Sequence, residues 1–154
     1  MQGLFRGASH LNLDAKGRLS VPARYRDELL DSCEGNLIMT VDHIDPCLLL
    51  YPMQEWLEIE KKIAILPSLN KQARILKRLL IGYATDVNMD KNGRLLVPPP
   101  LREFAGLDKQ IVLIGQGSKF EVWDEVKWKQ STQEWMEEEA DKDELIGDLG
   151  SLTF

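Results

Sequence analysis

Apolar and polar residues alternate along two short segments near the start of the chain, one on each side of a turn. Leu11 and Leu13 alternate with polar neighbours before the turn, and Leu19 and Val21 do so after it. A period of two predicts β-strands. Residues 14–17 between them include an aspartate and a glycine, which favour a tight turn. The pattern therefore predicts a β-hairpin.

The hairpin is followed by a helical pattern and then by two more apolar segments. Pro22 ends strand pairing and suits the first position of a helix, whose spacing continues to Gly35. Residues 37–41 and 47–51 are mostly apolar and are separated by a polar turn that contains a proline. This order predicts a short helix followed by a second β-hairpin.

The same plan occurs twice in the chain. The phrase formed by residues 14–22 returns 76 positions later as residues 90–98, and alignment of 8–26 with 84–102 gives nine identities in nineteen positions. Unrelated segments would match at about one position. A unit of about 50 residues would be marginally stable alone, so we expect the two copies to pack into one pseudo-symmetric α+β domain.

The repeat divides the chain into four predicted regions. The first half-unit covers residues 5–56 and the second covers 83–128. Residues 57–82 are predicted to form linking helices, because apolar residues recur at helical spacing on both sides of Pro67. Residues 129–154 are predicted to form an acidic C-terminal helix or tail.

The formal net charge is −6, but the negative charge is concentrated in one region. Residues 133–154 contain eight acidic residues and one lysine, which leaves the remainder of the chain close to neutral. A terminal block of like charge is typical of a solvated tail. The acidic composition therefore does not exclude a nucleic-acid partner.

The sequence shows neither the roughly 18 uninterrupted apolar residues of a membrane span nor a secretory signal pattern. We therefore expect a cytoplasmic protein without a membrane partner.

Candidate metal ligands and catalytic motifs are few. Cys33 and Cys47 form no CxxC pair, and His10 and His43 are the only histidines. Two ordinary thiols are expected, unless the fold gathers all four side chains into a metal site. The sequence has no glycine-rich phosphate loop, GxSxG or HExxH motif. We predict no cofactor, no metal, no catalytic residue and no small-molecule substrate, so an enzyme is the weakest hypothesis.

An arginine follows the turn glycine in both copies, Arg18 in the first and Arg94 in the second. A β-ribbon is narrow enough to enter a DNA groove, and a guanidinium group can donate two parallel N–H bonds to guanine. Asp14 and Asp90 would then cap the turns and orient the arginines. Alternatively, each Asp–Arg couple is an intramolecular ion pair that only holds its turn. The residues leave both interpretations open.

Other residues around the two turns are further candidates for DNA contact. Lys16, Lys91 and Arg24 could contact phosphate groups. Gly17 and Gly93 would allow the positive φ that a short turn demands, so we group them with the aspartates as turn-positioning residues.

Three groups of residues have two interpretations each. Arg26 and Arg102, at matched positions in the two short helices, extend the basic surface or have a structural role, which we favour. Four aromatic residues could stack on bases but are more typical of a core or subunit interface. Four basic residues on the second linking helix could contact phosphate but are more typical of a solvated face. The aromatic residues are Tyr51, Trp56, Trp123 and Trp128, and the basic ones are Lys71, Arg74, Lys77 and Arg78.

The chain resembles the MraZ family of the SpoVT/AbrB-like superfamily. The resemblance rests on the Asp-x-Lys-Gly-Arg-Leu-x-Val-Pro phrase, on its second copy ending in Gly-Arg-Leu-Leu-Val-Pro, and on the opening Phe5-Arg6-Gly7. It covers about residues 4–128. The fold that it implies is a tandem swapped-hairpin β-barrel, AbrB-like and built from the two half-units, with flanking helices.

The resemblance also implies a function. Members of this family are DNA-binding transcriptional regulators, usually repressors, of the division and cell-wall gene cluster. They bind short direct repeats of double-stranded DNA in their own promoter, assemble into ring-shaped homo-oligomers and associate with the nucleoid. The same superfamily fold also serves as an antitoxin-like protein-interaction module, which is the alternative function for this chain.

The family signature is Asp-x-x-x-Arg in each half-unit, and both copies keep it as Asp14 with Arg18 and Asp90 with Arg94. The second copy departs from the first at two positions. Asn92 replaces the lysine of the first copy, and Pro100 replaces Arg24. The two copies are therefore expected to contact DNA unequally.

Overall fold

A computed structural model describes residues 4–140 and 147–152 of the chain as an α+β fold. The strands in this part of the chain are β1 (Phe5–Asn12), β2 (Arg18–Ser20), β3 (Asn36–Val41), β4 (Leu48–Pro52), β5 (Thr85–Asn88), β6 (Arg94–Leu96), β7 (Gln110–Gly117) and β8 (Phe120–Asp124). The α-helices are α1 (Ala23–Cys33), α2 (Met53–Ala64), α3 (Lys71–Leu76), α4 (Pro99–Phe104) and α5 (Glu125–Ala140). The mixed α+β class predicted from the repeat is confirmed.

The strands form two antiparallel sheets. Six of them lie in the order β1-β7-β8-β4-β3-β5, and β2 pairs with β6 in a separate two-stranded ribbon. Within the described residues, these ladders make an open sheet and a ribbon, whereas the family resemblance implies one closed barrel. Because β2 and β6 contain three residues each and pair with one another, the ribbon does not continue the ladder of the larger sheet.

The first predicted hairpin of each copy is wrong, although its turn forms. β1 pairs along its eight residues with β7 of the second copy, and β5 pairs with β3 of the first copy. The alternating pattern correctly identifies the strands but carries no information about their partners. An eight-residue strand gains more hydrogen bonds from a partner of equal length than from the three-residue β2. The second hairpins, β3–β4 and β7–β8, are confirmed.

The main core lies between the six-stranded sheet and the ribbon, with α1 and α4 at its sides. Leu19 and Leu95 at the centres of β2 and β6 are fully buried, and they pack in one cluster with Leu29 of α1 and Leu101 of α4. Phe120 of β8 belongs to the same cluster. The ribbon is thus held against the sheet by its inner face, which leaves the other face outward.

The opposite face of the sheet is also covered. Along β4, Leu48 and Leu50 belong to the main core, whereas Leu49 and Tyr51 pack in a second cluster with Trp56 of α2. This arrangement explains why the β4 sequence lacks polar positions, as expected for a strand buried on both faces.

A third cluster lies under α5, where Trp128 and Trp135 make edge contacts with the buried Trp123. The prediction that the matched aromatic residues are core residues is confirmed for Tyr51, Trp56 and Trp123, which are buried.

The linking segment forms two helices, as predicted. α3 continues into a π-helical turn (Lys77–Ile81), whose Leu80 carbonyl accepts a bond from Thr40 Oγ1 at 2.7 Å. Arg74 and Lys77 donate to carbonyls of the preceding loop at 2.9 and 2.8 Å. These two cations are thus engaged locally.

The predicted acidic tail is partly described. α5 extends to Ala140, and Gly147–Ser151 forms a 3₁₀ turn, whereas residues 141–146 lie outside the described part. No helix of the described chain combines the length and apolar character that crossing a membrane requires.

Candidate nucleic-acid interface

The first turn is organised by the carboxylate of Asp14. Its Oδ1 accepts the backbone N–H groups of Lys16 and Arg18, both at 2.9 Å. Its Oδ2 accepts Nε–H of Arg18 at 2.7 Å. Gly17 completes the turn with φ +81° and donates its N–H to the Asp14 carbonyl at 2.9 Å. One short side chain therefore shapes the turn and aims its arginine.

The second turn repeats this geometry. Asp90 Oδ1 accepts the N–H groups of Asn92 and Arg94 at 2.9 Å, and Oδ2 accepts Nε–H of Arg94 at 3.1 Å. Gly93 has φ +79°. Because Nε carries the contact in both copies, the two Nη groups of each arginine keep no hydrogen-bond partner within residues 4–140 and 147–152.

Both aspartates are held in their ionised form. The backbone N–H of Arg18 is the largest cause that lowers the pKa of Asp14 from 3.8 to about 2, and the guanidinium of Arg18 adds to it. The backbone N–H of Arg94 likewise lowers the pKa of Asp90 below its ordinary value. Near neutral pH both turns therefore carry a complete Asp–Arg pair.

The β2–β6 pairing brings the two arginines onto one surface. Arg18 stands opposite Leu96, and Ser20 stands opposite Arg94. Paired residues of an antiparallel ladder point to the same side. Since Leu19 and Leu95 point into the core, these four residues form the outward side, which we call the ribbon face. Arg18 and Arg94 occupy diagonal positions on it, for which the typical separation between Cα atoms is about 7–8 Å.

The ribbon face is accessible. The side chains of Arg18 and Arg94 are 28% and 34% exposed. Ser20 is exposed, and Leu96 is 48% exposed although it is a large apolar residue. The sequence signalled the arginines through the repeat, but it did not signal Ser20 and Leu96 as members of the site. Their membership follows from strand register, which the repeat alone does not give.

The predicted lysines and Arg24 lie in different places. Lys16 and Lys91 are exposed within the two turns. Arg24 instead contacts β1, where its Nη2 donates to Ser9 Oγ at 2.8 Å and its guanidinium lies 4.7 Å from the Tyr25 ring centre. The structure thus brings the lysines to the ends of the ribbon, whereas Arg24 contacts β1 and its neighbour Tyr25 in α1.

A second polar cluster lies away from the ribbon. Potential ligand atoms of Asp42, Cys47 and Glu121 are within 4.8 Å of one another. Burial raises the pKa of the Cys47 thiol and of Glu121, and the thiol lies 3.7 Å from Asp42 Oδ2. A cation here would have to displace a thiol proton that burial retains. The sequence offered Cys33, Cys47, His10 and His43 as possible metal ligands. Of these four, Cys47 belongs to this cluster, and His10 instead contacts Glu125.

Comparison with known proteins identifies the family. The family model described as "MraZ protein, putative antitoxin-like" matches residues 4–79 and again residues 80–148. The chain belongs to the MraZ family. The resemblance inferred from the repeated phrase is therefore confirmed, and the two matches together cover nearly all of the chain.

Individual members of the family support this assignment. A protein of Halorhodospira halophila is 57% identical over 98% of this chain and 100% of its own length, and one of Alkalilimnicola ehrlichii is 52% identical with the same coverage. A Pseudomonas aeruginosa protein is 57% identical over 81% of this chain and 83% of its own length. Each of these relatives is named "Transcriptional regulator MraZ".

Proposed function

We propose that this protein is a transcriptional regulator that binds double-stranded DNA through the ribbon face. The observation that carries the proposal is the placement of Arg18 and Arg94 on one exposed face, each with its Nε held by an aspartate. The relatives' name supports the regulatory role. The proposal assigns no enzymatic reaction to the protein.

The geometry of the ribbon suits a DNA groove. The major groove is about 12 Å wide and admits a two-stranded β-ribbon. An arginine whose Nε is occupied still presents two Nη groups end-on, and these can donate to O6 and N7 of guanine. Because the inner face of the ribbon is packed in the core, its outer side chains are presented on a supported surface.

The surrounding cations have different parts in this proposal. Lys16 and Lys91, exposed in the two turns, would contact phosphate groups on either side of the groove. Arg24, which is engaged with Ser9, would make at most an outlying phosphate contact. The ion-pair interpretation of Asp14 and Arg18 is compatible with this role, because the pair orients the arginine without using its Nη groups.

The wider regulatory role follows the family resemblance. We propose that the DNA consists of short direct repeats in the promoter of a division and cell-wall gene cluster, and that binding represses it. A ring-shaped homo-oligomer would present one ribbon face per subunit to successive repeats. Such a protein would be cytoplasmic and associated with the nucleoid.

The strand pairing supports a swapped-hairpin architecture for this domain. β1 of the first copy lies beside β7 of the second, and β5 of the second lies beside β3 of the first. Each copy thus supplies one strand to the sheet of the other, as exchange between two half-units requires.

Footprinting of the purified protein on DNA upstream of its own gene tests the proposal. The assay compares the wild-type protein with Arg18→Ala and with the matched control Lys62→Ala, which removes an exposed cation from α2 on the opposite face of the sheet. We expect protected direct repeats with the wild-type and control proteins and a loss of protection with Arg18→Ala. Full protection with Arg18→Ala would remove the central assignment.

The salt dependence of binding is a second test. Neutralising phosphates releases counterions, so affinity should fall steeply as salt increases. Lys16→Ala should reduce the slope of log affinity against log salt by about one, as expected for one phosphate contact.

A truncated protein separates DNA binding from the antitoxin-like alternative. Trp135 packs on Trp123, so a cut directly after Trp128 would uncover the third cluster. A stop after Ala140 instead removes the last acidic residues and keeps α5. DNA binding should survive this truncation. An interaction module that uses residues 141–154 would lose its protein partner and would show no protected DNA.

A further inference from the structure

We infer that Arg26 and Arg102 are crossed positioning residues. Arg102 of the second copy sets the turn that carries Arg18, and Arg26 of the first copy sets the turn that carries Arg94. The inference rests on the proposed DNA-binding role of the two turns, and it adds two residues that act through others rather than by touching DNA.

Each arginine lies against the turn glycine of the opposite copy. A Cβ placed on Gly17 would lie 2.5 Å from Cζ of Arg102, and one placed on Gly93 would lie 2.7 Å from Cδ of Arg26. These separations are too short for non-bonded carbon atoms, so each glycine leaves space that the arginine of the other copy fills. The need for glycine is therefore steric as well as conformational.

Backbone bonds hold the same two glycines from the same opposite copy. Val97 N–H donates to the Gly17 carbonyl at 2.9 Å, and Val21 N–H donates to the Gly93 carbonyl at 2.7 Å. Each turn glycine is thus held by a valine amide and an arginine of the other copy. We call the arginine that holds each turn glycine its brace: Arg102 for Gly17 and Arg26 for Gly93. The residue after each glycine is Arg18 or Arg94. Displacement of the glycine would therefore also displace the arginine that is proposed to contact the DNA bases.

The two braces are not equally anchored. Arg26 donates its Nε–H to the Val21 carbonyl at 2.7 Å, the same residue whose amide binds Gly93. The Nε atom of Arg102 is buried and has no hydrogen-bond partner within the described residues. Arg102 also lines an open groove of about 490 Å³ beside Asp14. The turn of the first copy therefore has the looser brace.

A double-mutant cycle on DNA affinity tests the crossed arrangement. Arg102→Lys and Arg26→Lys keep the charge but lose the planar group, and each should weaken binding about three- to tenfold. In an Arg18→Ala background the effect of Arg102→Lys should nearly vanish, whereas in an Arg94→Ala background it should persist. Arg26→Lys should show the reverse pattern.

Other patterns would overturn the inference. Equal effects of Arg102→Lys in both backgrounds would indicate a direct phosphate contact or a general loss of structure. If the effect of Arg102→Lys on DNA affinity vanished in the Arg94→Ala background instead, Arg102 would act on the turn of its own copy. If Arg18→Ala and Arg94→Ala themselves left binding intact, the proposed function would fail instead, so the two failures are distinguishable.

The carboxyl pKa values of the DNA-free protein provide a test that is independent of the double-mutant cycle. In the free protein, NMR titration should show that Arg102→Lys raises the pKa of Asp14 towards its ordinary value and leaves Asp90 unchanged, because the relaxed turn loses amide bonds to that carboxylate. Arg26→Lys should act on Asp90 alone. A general loss of stability would move both carboxyl groups together, and this outcome would contradict the positioning role.

The wild-type protein provides a test should a lysine variant not fold. Nuclear Overhauser contacts are expected from the α-protons of Gly17 to the Arg102 side chain and from those of Gly93 to the Arg26 side chain. Contacts from Gly17 to Arg26 in their place would show that the braces are not crossed.

Discussion

The two copies of the repeat keep the same turn but differ in what surrounds it. Both pair an aspartate with an arginine, both place glycine at positive φ, and both receive an arginine from the other copy. On the ribbon face, however, Ser20 of the first copy corresponds to Leu96 of the second. The comparison indicates that the turn geometry is the shared requirement, whereas the flanking positions can differentiate the copies.

The copies also differ in charge and in the closeness of their ion pairs. The first turn contains Lys16 where the second contains Asn92, although Lys91 lies one residue earlier. The Nε–Oδ2 distance is 2.7 Å for Arg18 and 3.1 Å for Arg94. On these grounds the first copy should contribute more to DNA affinity than the second.

The largest expected effect comes from removing the arginines one at a time. Arg18→Ala should cost about 1–3 kcal/mol of specific binding free energy, as for an arginine that contacts guanine bidentately, and Arg94→Ala should cost less. Titration of labelled promoter DNA measures both values, with Lys62→Ala as the control. A greater loss with Arg94→Ala would reverse the order of the two copies.

The next largest effect is on stability when a turn glycine gains a side chain. Gly93→Ala should destabilise the protein by about 1–3 kcal/mol, because it combines a positive φ with displacement of the Arg26 stem. Gly17→Ala should cost less, since it meets the far end of Arg102, which can swing away. Urea denaturation measures both changes in the free energy of unfolding.

Gly117→Ala is the matched control for this comparison. Gly117 has φ +84° but no neighbouring atom within 4 Å of an added Cβ, so its substitution reports backbone strain alone. The excess loss in Gly93→Ala measures the arginine contact. Equal losses at the two positions would show that Arg26 yields without cost.

A smaller effect is expected from exchanging the outer residues of the ribbon face. Leu96→Ser should weaken binding only a few-fold, through loss of an apolar contact such as one with a thymine methyl group. DNA in which uracil replaces thymine should bind the wild-type protein less tightly but should bind Leu96→Ser unchanged. If the wild-type protein binds thymine-containing and uracil-containing DNA equally, Leu96 makes no contact with a methyl group. The difference between Ser20 and Leu96 would then be unrelated to base recognition.

The smallest effect concerns pH. Since the folded-state pKa values of Asp14 and Asp90 are depressed, the stabilisation from their ionised forms is present above their ordinary pKa of 3.8 and is lost as the pH falls through the folded-state pKa, which is about 2 for Asp14. Stability should therefore show no pH dependence from these groups between pH 5 and 8, where their contribution is complete. NMR titration should give a pKa of about 2 for Asp14. A value near 4 would show that the amide bonds to its carboxylate are absent in solution.

The sequence was sufficient to predict the chemistry of the turns and the elements around them. The repeated phrase located both turns, and hydrophobic periodicity located the second hairpins, the short helices and the linking helices. These features are local: the Asp–Gly–Arg spacing determines the turns, and the apolar spacing within each segment determines the helices and strands. Of the four aromatic residues matched between the copies, Tyr51, Trp56 and Trp123 were correctly assigned to the core, whereas Trp128 is partly buried against it.

The partners of the strands could not be predicted in this way. Alternation along residues 11–21 is the same whether β1 pairs with β2 or with β7, since periodicity reports a buried face rather than a neighbour. The positions of Leu96, Arg26 and Arg102 depend on that pairing. The crossed contacts of the arginines with the turn glycines therefore become visible only when both copies are seen together.

Hydrogen exchange of the protein with and without its promoter DNA tests the central claim most directly, because it locates the contact surface without any substitution. Peptides that cover residues 14–22 and 90–98 should become protected on DNA binding, the first more than the second, whereas peptides of α2 should not change. Protection confined to α2 and α3, with both turn peptides unchanged, would contradict the assignment of the ribbon face as the DNA-binding surface.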